Sequence, residues 1–83
     1  MFQLLIAEDD VNTAKLMSAV LKYAGYEVFH AQNGVEALRL MEKQHVDLIV
    51  LDVMMPQMDG YQFTEELRAG GDNTPILMVT AKH

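Results

Sequence analysis

The chain contains no cysteine and no tryptophan, and only two prolines among its 83 residues. Without cysteine there is no disulfide, no thiolate metal site and no thiol nucleophile. That absence is compatible with a reducing, cytoplasmic setting. No apolar run approaches the roughly 18 residues that a membrane-crossing helix requires. The opening residues, Met1-Phe2-Gln3-Leu4, carry no basic stretch ahead of their apolar run, which argues against a secretory signal. Basic residues are few and scattered, at Lys15, Lys22, Arg39, Lys43, Arg68 and Lys82. No stripe of positive charge exists to track a phosphate backbone, so direct nucleic-acid binding by this segment is not expected.

What is present is acid and hydrocarbon. Twelve acidic residues against six basic ones give a net charge of −6, and 51% of the residues are hydrophobic. With 22% of its residues charged, the chain has the composition of one small globular domain, 1–83, rather than of a disordered tract. A domain of this size has little stability to spare. Several acids are bunched, as in Glu8-Asp9-Asp10. Bunched carboxylates repel one another unless a cation or a proton intervenes.

Short apolar runs alternate with helical periodicities. Phe2 to Ala7 reads as a buried strand that ends abruptly in acid. From about Asn12 to Ala24, Ala14, Met17, Val20, Leu21 and Ala24 recur at helical spacing, and Gly25 stands where a helix end favours positive φ. Glu27 to Ala31 is a second strand, and Asn33-Gly34 opens a helix running to about Lys43. Asp47 to Val53 contains the continuous run Leu48-Ile49-Val50-Leu51, which suits a parallel strand covered on both faces. Met54 to Gly60 is a loop punctuated by Pro56 and Asp59-Gly60, Tyr61 to about Ala69 is a helix closed by Gly70-Gly71, and Ile76 to Val79 is a fourth strand. The order βαβαβαβ with short connections predicts an α/β fold, a doubly wound parallel sheet with right-handed crossovers.

Ligands of such sheets bind beyond the carboxyl ends of the strands. Strand one delivers Glu8, Asp9 and Asp10 there, strand three delivers Asp52, and strand four delivers Thr80. Each has an ordinary structural reading alone. Asp10 or Asn12 suits a helix cap, Asp52 a loop start, and Thr80 the β-propensity of its side chain. Together they suggest more. A hard divalent cation such as Mg2+ takes oxygen ligands and is held by one or two carboxylates plus water and phosphate oxygens. Asp9 and Asp52, with Glu8 nearby, have that character. A carboxylate beside such a cation can also accept a phosphoryl group. Rival motifs are missing: no Gly-rich dinucleotide fingerprint follows strand one, and no phosphate-binding G-x-x-x-x-G-K-[ST] occurs. Asp52-Val53-Met54 lacks the second acid, two residues on, that aspartate-nucleophile phosphatases use. His30, His45 and His83 are isolated in sequence and read as surface or packing residues.

The acidic turn, the run Leu51-Asp52-Val53-Met54-Met55-Pro56-Gln57-Met58-Asp59-Gly60, the stretch Asn33-Gly34-Val35-Glu36-Ala37-Leu38 and Val79-Thr80-Ala81 together resemble the signature of response-regulator receiver domains. The resemblance spans all 83 residues. It implies a flavodoxin-like fold with strand order 2-1-3-4 and a switch in two-component signalling rather than an enzyme. Asp52 would accept a phosphoryl group from a histidine kinase. Asp9 would bind Mg2+ (or Mn2+) directly, Glu8 largely through water, and the Met54 backbone carbonyl would complete the protein's share of the shell. Thr80 would be the switch hydroxyl, Pro56 and Gly60 would shape the loop, and Met54 and Lys82 would stand where family members vary. The family's domain ordinarily continues through a fourth helix, a fifth strand bearing a Lys and an aromatic residue, and a fifth helix. The expectation is therefore the N-terminal two-thirds of a receiver domain, able to control an output domain in a longer protein and prone to self-associate through strand four. A phosphorylation-independent interaction module and an aspartate-nucleophile phosphohydrolase are the alternative readings.

Overall fold

The computed structural model describes residues 1–55 and 58–79. Strands β1 (Gln3–Ala7), β2 (Glu27–Ala31), β3 (Leu48–Asp52) and β4 (Ile76–Val79) alternate with helices α1 (Val11–Tyr23), α2 (Gly34–Lys43) and α3 (Gly60–Ala69). All pairings are parallel, in the order β2-β1-β3-β4. This is the predicted doubly wound sheet, and each element lies within a few residues of its expected bounds.

The order dictates where the helices go. From β1 the chain steps outward to β2, then returns past β1 to β3 and on to β4. Right-handed crossovers in opposite directions put α1 on one face of the sheet and α2 and α3 on the other. Side-chain alternation follows suit. Leu5, Ala7, Ile49 and Leu51 enter a core with Ala37 of α2 and Phe63 and Leu67 of α3. Leu4, Ile6 and Val50, buried on the opposite parity, back onto α1. Because both faces of β1 and β3 are covered, these strands carry uninterrupted hydrocarbon.

Local chemistry sets the helix ends. Gly25, at φ +102°, follows the last turn of α1, and Tyr26 N–H returns to the Leu21 carbonyl at 3.1 Å. Asn33 Oδ1 accepts the Glu36 N–H at 2.9 Å and starts α2. Asp59 and Gln62 form a reciprocal capping box that starts α3. The expectation placed Gly60 in the loop; the cap draws it into the helix.

One face is incomplete among the described residues. β4 is an edge strand, and its residues alternate: Ile76 and Met78 pack against the core, whereas Leu77 and Val79 are exposed. The apolar run of β4 is thus covered on one face only among the described residues. Leu77 and Val79 line an apolar groove of about 470 Å3 with Val50 and with Leu16, Met17, Val20 and Leu21 of α1.

Phe63 is the bulkiest fully buried side chain. Phe63→Ala should cost about 3–5 kcal/mol, a large part of the total stability of a small domain. Urea unfolding followed by circular dichroism should show the midpoint collapse for Phe63→Ala and a much smaller loss for Phe63→Leu. Similar midpoints for both variants would contradict this packing.

Candidate functional site

In a doubly wound sheet the crevice lies where the chain leaves neighbouring strands in opposite directions. Here that point falls between β1 and β3. The register aligns Ala7 with Leu51, so the next residues, Glu8 just past β1 and Asp52 at the end of β3, stand side by side at the edge of the sheet. The structure gathers three of the predicted residues: Glu8, Asp9 and Asp52 each place a carboxylate oxygen within 4.8 Å of the others. Asp52 is 5% exposed and Glu8 9%, while Asp9 is open to solvent.

Several hydrogen bonds hold this geometry. Met54 N–H donates to Asp52 Oδ1 at 3.0 Å, so the loop after β3 turns back onto the carboxylate that precedes it. Asp10 N–H donates to Glu8 Oε2 at 3.1 Å. Asp10 occupies the position before α1 and accepts a hydrogen bond from the Thr13 hydroxyl. Gly60 explains why the loop closes so tightly. Its N–H donates to the Val53 carbonyl at 3.1 Å, and a Cβ there would lie 2.9 Å from Val53 Cα and 3.3 Å from the Asp52 carbonyl oxygen. Only glycine allows α3 to begin against the backbone that carries Asp52.

Electrostatically the site is overloaded with negative charge. Among the described residues no Lys or Arg forms an ion pair with Glu8, Asp9 or Asp52. Burial raises the Glu8 carboxyl above its ordinary value of 4.5, and the charge of Asp52 pushes the same way, against the opposing Asp10 N–H. Such a cluster favours a hard cation. It opens onto a shallow cavity of about 540 Å3 lined by Asp9, Val53, Met54, Met55, Asp59 and Tyr61.

The remaining expectations divide in two. Met54 is exposed beside Asp52 and engages it through its amide. Pro56, Thr80 and Lys82 lie outside the described residues; Val79, which precedes Thr80 in sequence, is the register partner of Asp52. One contact was not foreseen. His30 Nε2 lies 2.8 Å from the Glu8 carbonyl oxygen, and nothing in the sequence around an isolated histidine on another strand signals it.

Comparison with known proteins agrees with this geometry. The response regulator receiver domain family matches residues 4–83. Response regulator MprA of Mycobacterium sp. (strain KMS) is 42% identical over 80 residues, covering 96% of this chain and 35% of the relative. The probable transcriptional regulator ycf27 of Cyanidium caldarium is 46% identical over 78 residues, covering 94% and 31%. The chain therefore spans about a third of the length of these curated relatives. Among solved structures, chemotaxis protein CheY4 of Vibrio cholerae superposes with a TM-score of 0.93 at 38% identity, covering 100% of this chain and 71% of the other. Response regulator protein TrrA of Thermotoga maritima, solved in complex with Mg2+ and a beryllium fluoride, gives 0.92 at 33%, covering 99% and 71%.

The raised Glu8 pKa has a consequence for stability. In the fold the protonated form is favoured, so the contribution of this group is greatest below pH 4.5 and is lost as pH rises through the raised value. At neutral pH, in the presence of a chelator, Glu8→Gln should therefore stabilise the chain. The expected gain is about 1 kcal/mol, the scale of one like-charge contact near 4 Å in a water-like dielectric. Urea unfolding at pH 7 and at pH 4 should show that gain shrinking in acid. A less stable variant at pH 7 would contradict the repulsion.

Proposed function

Because the chain belongs to the response regulator receiver domain family, we propose that Asp52 accepts a phosphoryl group in a reaction that depends on a divalent cation held by Asp9, Asp52 and Glu8. Receiver domains are signalling switches of two-component systems rather than enzymes in the ordinary sense, and this chain is read as one. The observation that carries the proposal is the convergence of three carboxylate oxygens within 4.8 Å beside the mouth of the cavity. Three negative groups held that close suit a hard cation. TrrA, a relative 33% identical to this chain, was solved in complex with Mg2+ and a beryllium fluoride.

In this reading Asp9 and Asp52 are direct ligands, Glu8 acts largely through water, and the Met54 carbonyl supplies a further oxygen. When bound, Mg2+ neutralises the charge that builds on the transferring phosphoryl group. The protein's own residues do the rest. The Met54 N–H engages Oδ1 of Asp52, which restrains rotation of the carboxylate and leaves its second oxygen to attack phosphorus. As that O–P bond forms, the P–N bond of a kinase phosphohistidine breaks, its electron pair stays on the ring nitrogen, and the ring, protonated at its other nitrogen, leaves as neutral imidazole. Gly60 keeps the loop after β3 close against Asp52, and by family resemblance Pro56 is assigned to shaping that loop and Thr80 to the switch hydroxyl. The partners are a histidine kinase on the donor side and an output element on the other.

The test is direct. Supplied with acetyl phosphate and Mg2+, a complete receiver domain containing this segment should incorporate phosphate, and Asp52→Asn should reduce incorporation to background, because an amide is a poor nucleophile. Thr80→Ala should leave uptake largely intact while blunting the conformational response. Stoichiometric labelling of Asp52→Asn would identify a different acceptor.

A second copy of the chain is also a proposed partner of the isolated 83-residue polypeptide. The outer edge of β4 pairs with no strand among the described residues. The adjoining groove is bordered by Leu77, 54% exposed, and Val20, 60% exposed. An apolar edge strand without charge or proline within it invites pairing with its own kind. Sedimentation equilibrium at high micromolar concentration should report a dimer or larger species that Leu77→Lys disperses. A cooperatively folding monomer under those conditions would contradict it.

A further inference from the structure

We propose that His30 is a positioning residue for the cation site, fixing the Glu8–Asp9 peptide through the Glu8 carbonyl and so setting the affinity and selectivity of the site for Mg2+. The inference rests on the reading of Glu8, Asp9 and Asp52 as that site. β1 is held by β3 only as far as Ala7, opposite Leu51. Glu8 lies one residue beyond, and β2 holds both of its backbone groups. Glu8 N–H donates to the Ala31 carbonyl at 3.0 Å, and His30 Nε2 lies 2.8 Å from the Glu8 carbonyl oxygen. A carbonyl oxygen only accepts, so Nε2 carries the proton and donates it.

The position of this bond matters. The Glu8 carbonyl belongs to the peptide that joins the two acidic residues. Rotating that peptide plane redirects the side chains on both sides of it, and Asp9 stands on the exposed side of the turn. His30 is half-buried on β2, in register with Ile6, so the donor comes from a paired strand rather than from a loop. Mg2+ demands near-ideal octahedral geometry, whereas Ca2+ tolerates variable and larger shells. A loosened Glu8–Asp9 turn therefore penalises Mg2+ more than Ca2+. Hydrogen bonds one shell out from a metal commonly change its affinity by about 10-fold or more.

The experiment compares His30→Phe, which keeps an aromatic ring without the donor, with His30→Gln, whose amide N–H2 restores one. Mg2+ and Ca2+ are titrated separately into the 83-residue protein and followed by NMR at Glu8, Asp9 and Asp52, with urea midpoints measured in parallel. His30→Phe should weaken Mg2+ binding by about 10-fold and lower the Mg2+ to Ca2+ affinity ratio, while His30→Gln stays near the parent. Simple loss of packing would not move that ratio. Unchanged Mg2+ affinity in His30→Phe, or equal losses in both variants, would overturn the role of His30 while leaving the cation site standing. A folded parent that does not respond to Mg2+ would overturn both. If His30→Phe does not fold, the parent alone decides: ring resonances of His30 should shift with the same Mg2+ dependence as Glu8 and Asp9, and an unresponsive ring would refute the proposal.

Discussion

The parallel pairing of β1 with β3 is the constraint on which the site depends. Ala7 stands opposite Leu51, and because parallel strands point the same way, the residues that follow emerge at the same edge. Period-two alternation puts Glu8 on the same face as Leu4 and Ile6, and Asp52 on the same face as Val50. A slip of one residue in either strand would send one carboxylate to the opposite face and bury it among the core residues of α2 and α3. Burial of an unpaired charge in hydrocarbon is costly enough to exclude that register. The apolar runs that make the strands thus also determine which acids meet.

The arrangement sets hydrophobic folding against repulsion between carboxylates. Leu5, Ile6, Ile49 and Leu51 are completely buried and drive the sheet together. They deliver at its edge a group of carboxylates that resist being together, with the Glu8 carboxyl raised by burial and by Asp52. Backbone N–H groups of Met54 and Asp10 offset part of that repulsion, yet neither adds a positive charge. Among the described residues every buried side-chain nitrogen or oxygen has a hydrogen-bond partner. The tension is therefore one of charge rather than of unmet hydrogen bonding, which is the condition a cation relieves.

Most of the architecture was legible from the residues because β1, β3 and β4 are dominated by runs of hydrocarbon and α1 and α3 are followed by glycines. Gly25 was expected to have positive φ and has it, since no residue with a Cβ adopts that conformation cheaply. Asp9 and Asp52 were paired in expectation by topology alone, and the register brings them together. What escaped was of two kinds. The start of α3 was misplaced by one residue because the Asp59–Gln62 cap is a local signal that outweighs the loop character of Asp-Gly. The His30 contact escaped because it joins residues 22 apart in sequence through one side chain and one carbonyl, and no periodicity encodes such a bond. The apolar run of β4 correctly marked a parallel strand but says nothing about what covers its outer face.

The central claim is that Asp52 is the phosphoacceptor and that the neighbouring acids serve it. Reductive trapping of the acyl phosphate with borohydride, followed by mass spectrometry of the resulting peptides, tests this most directly. The account predicts a reduced aspartate at position 52 alone, formed only when phosphodonor and Mg2+ are both present. Trapping at Asp9 or Asp59 instead, or at Asp52 to the same extent after the metal is chelated, would contradict it.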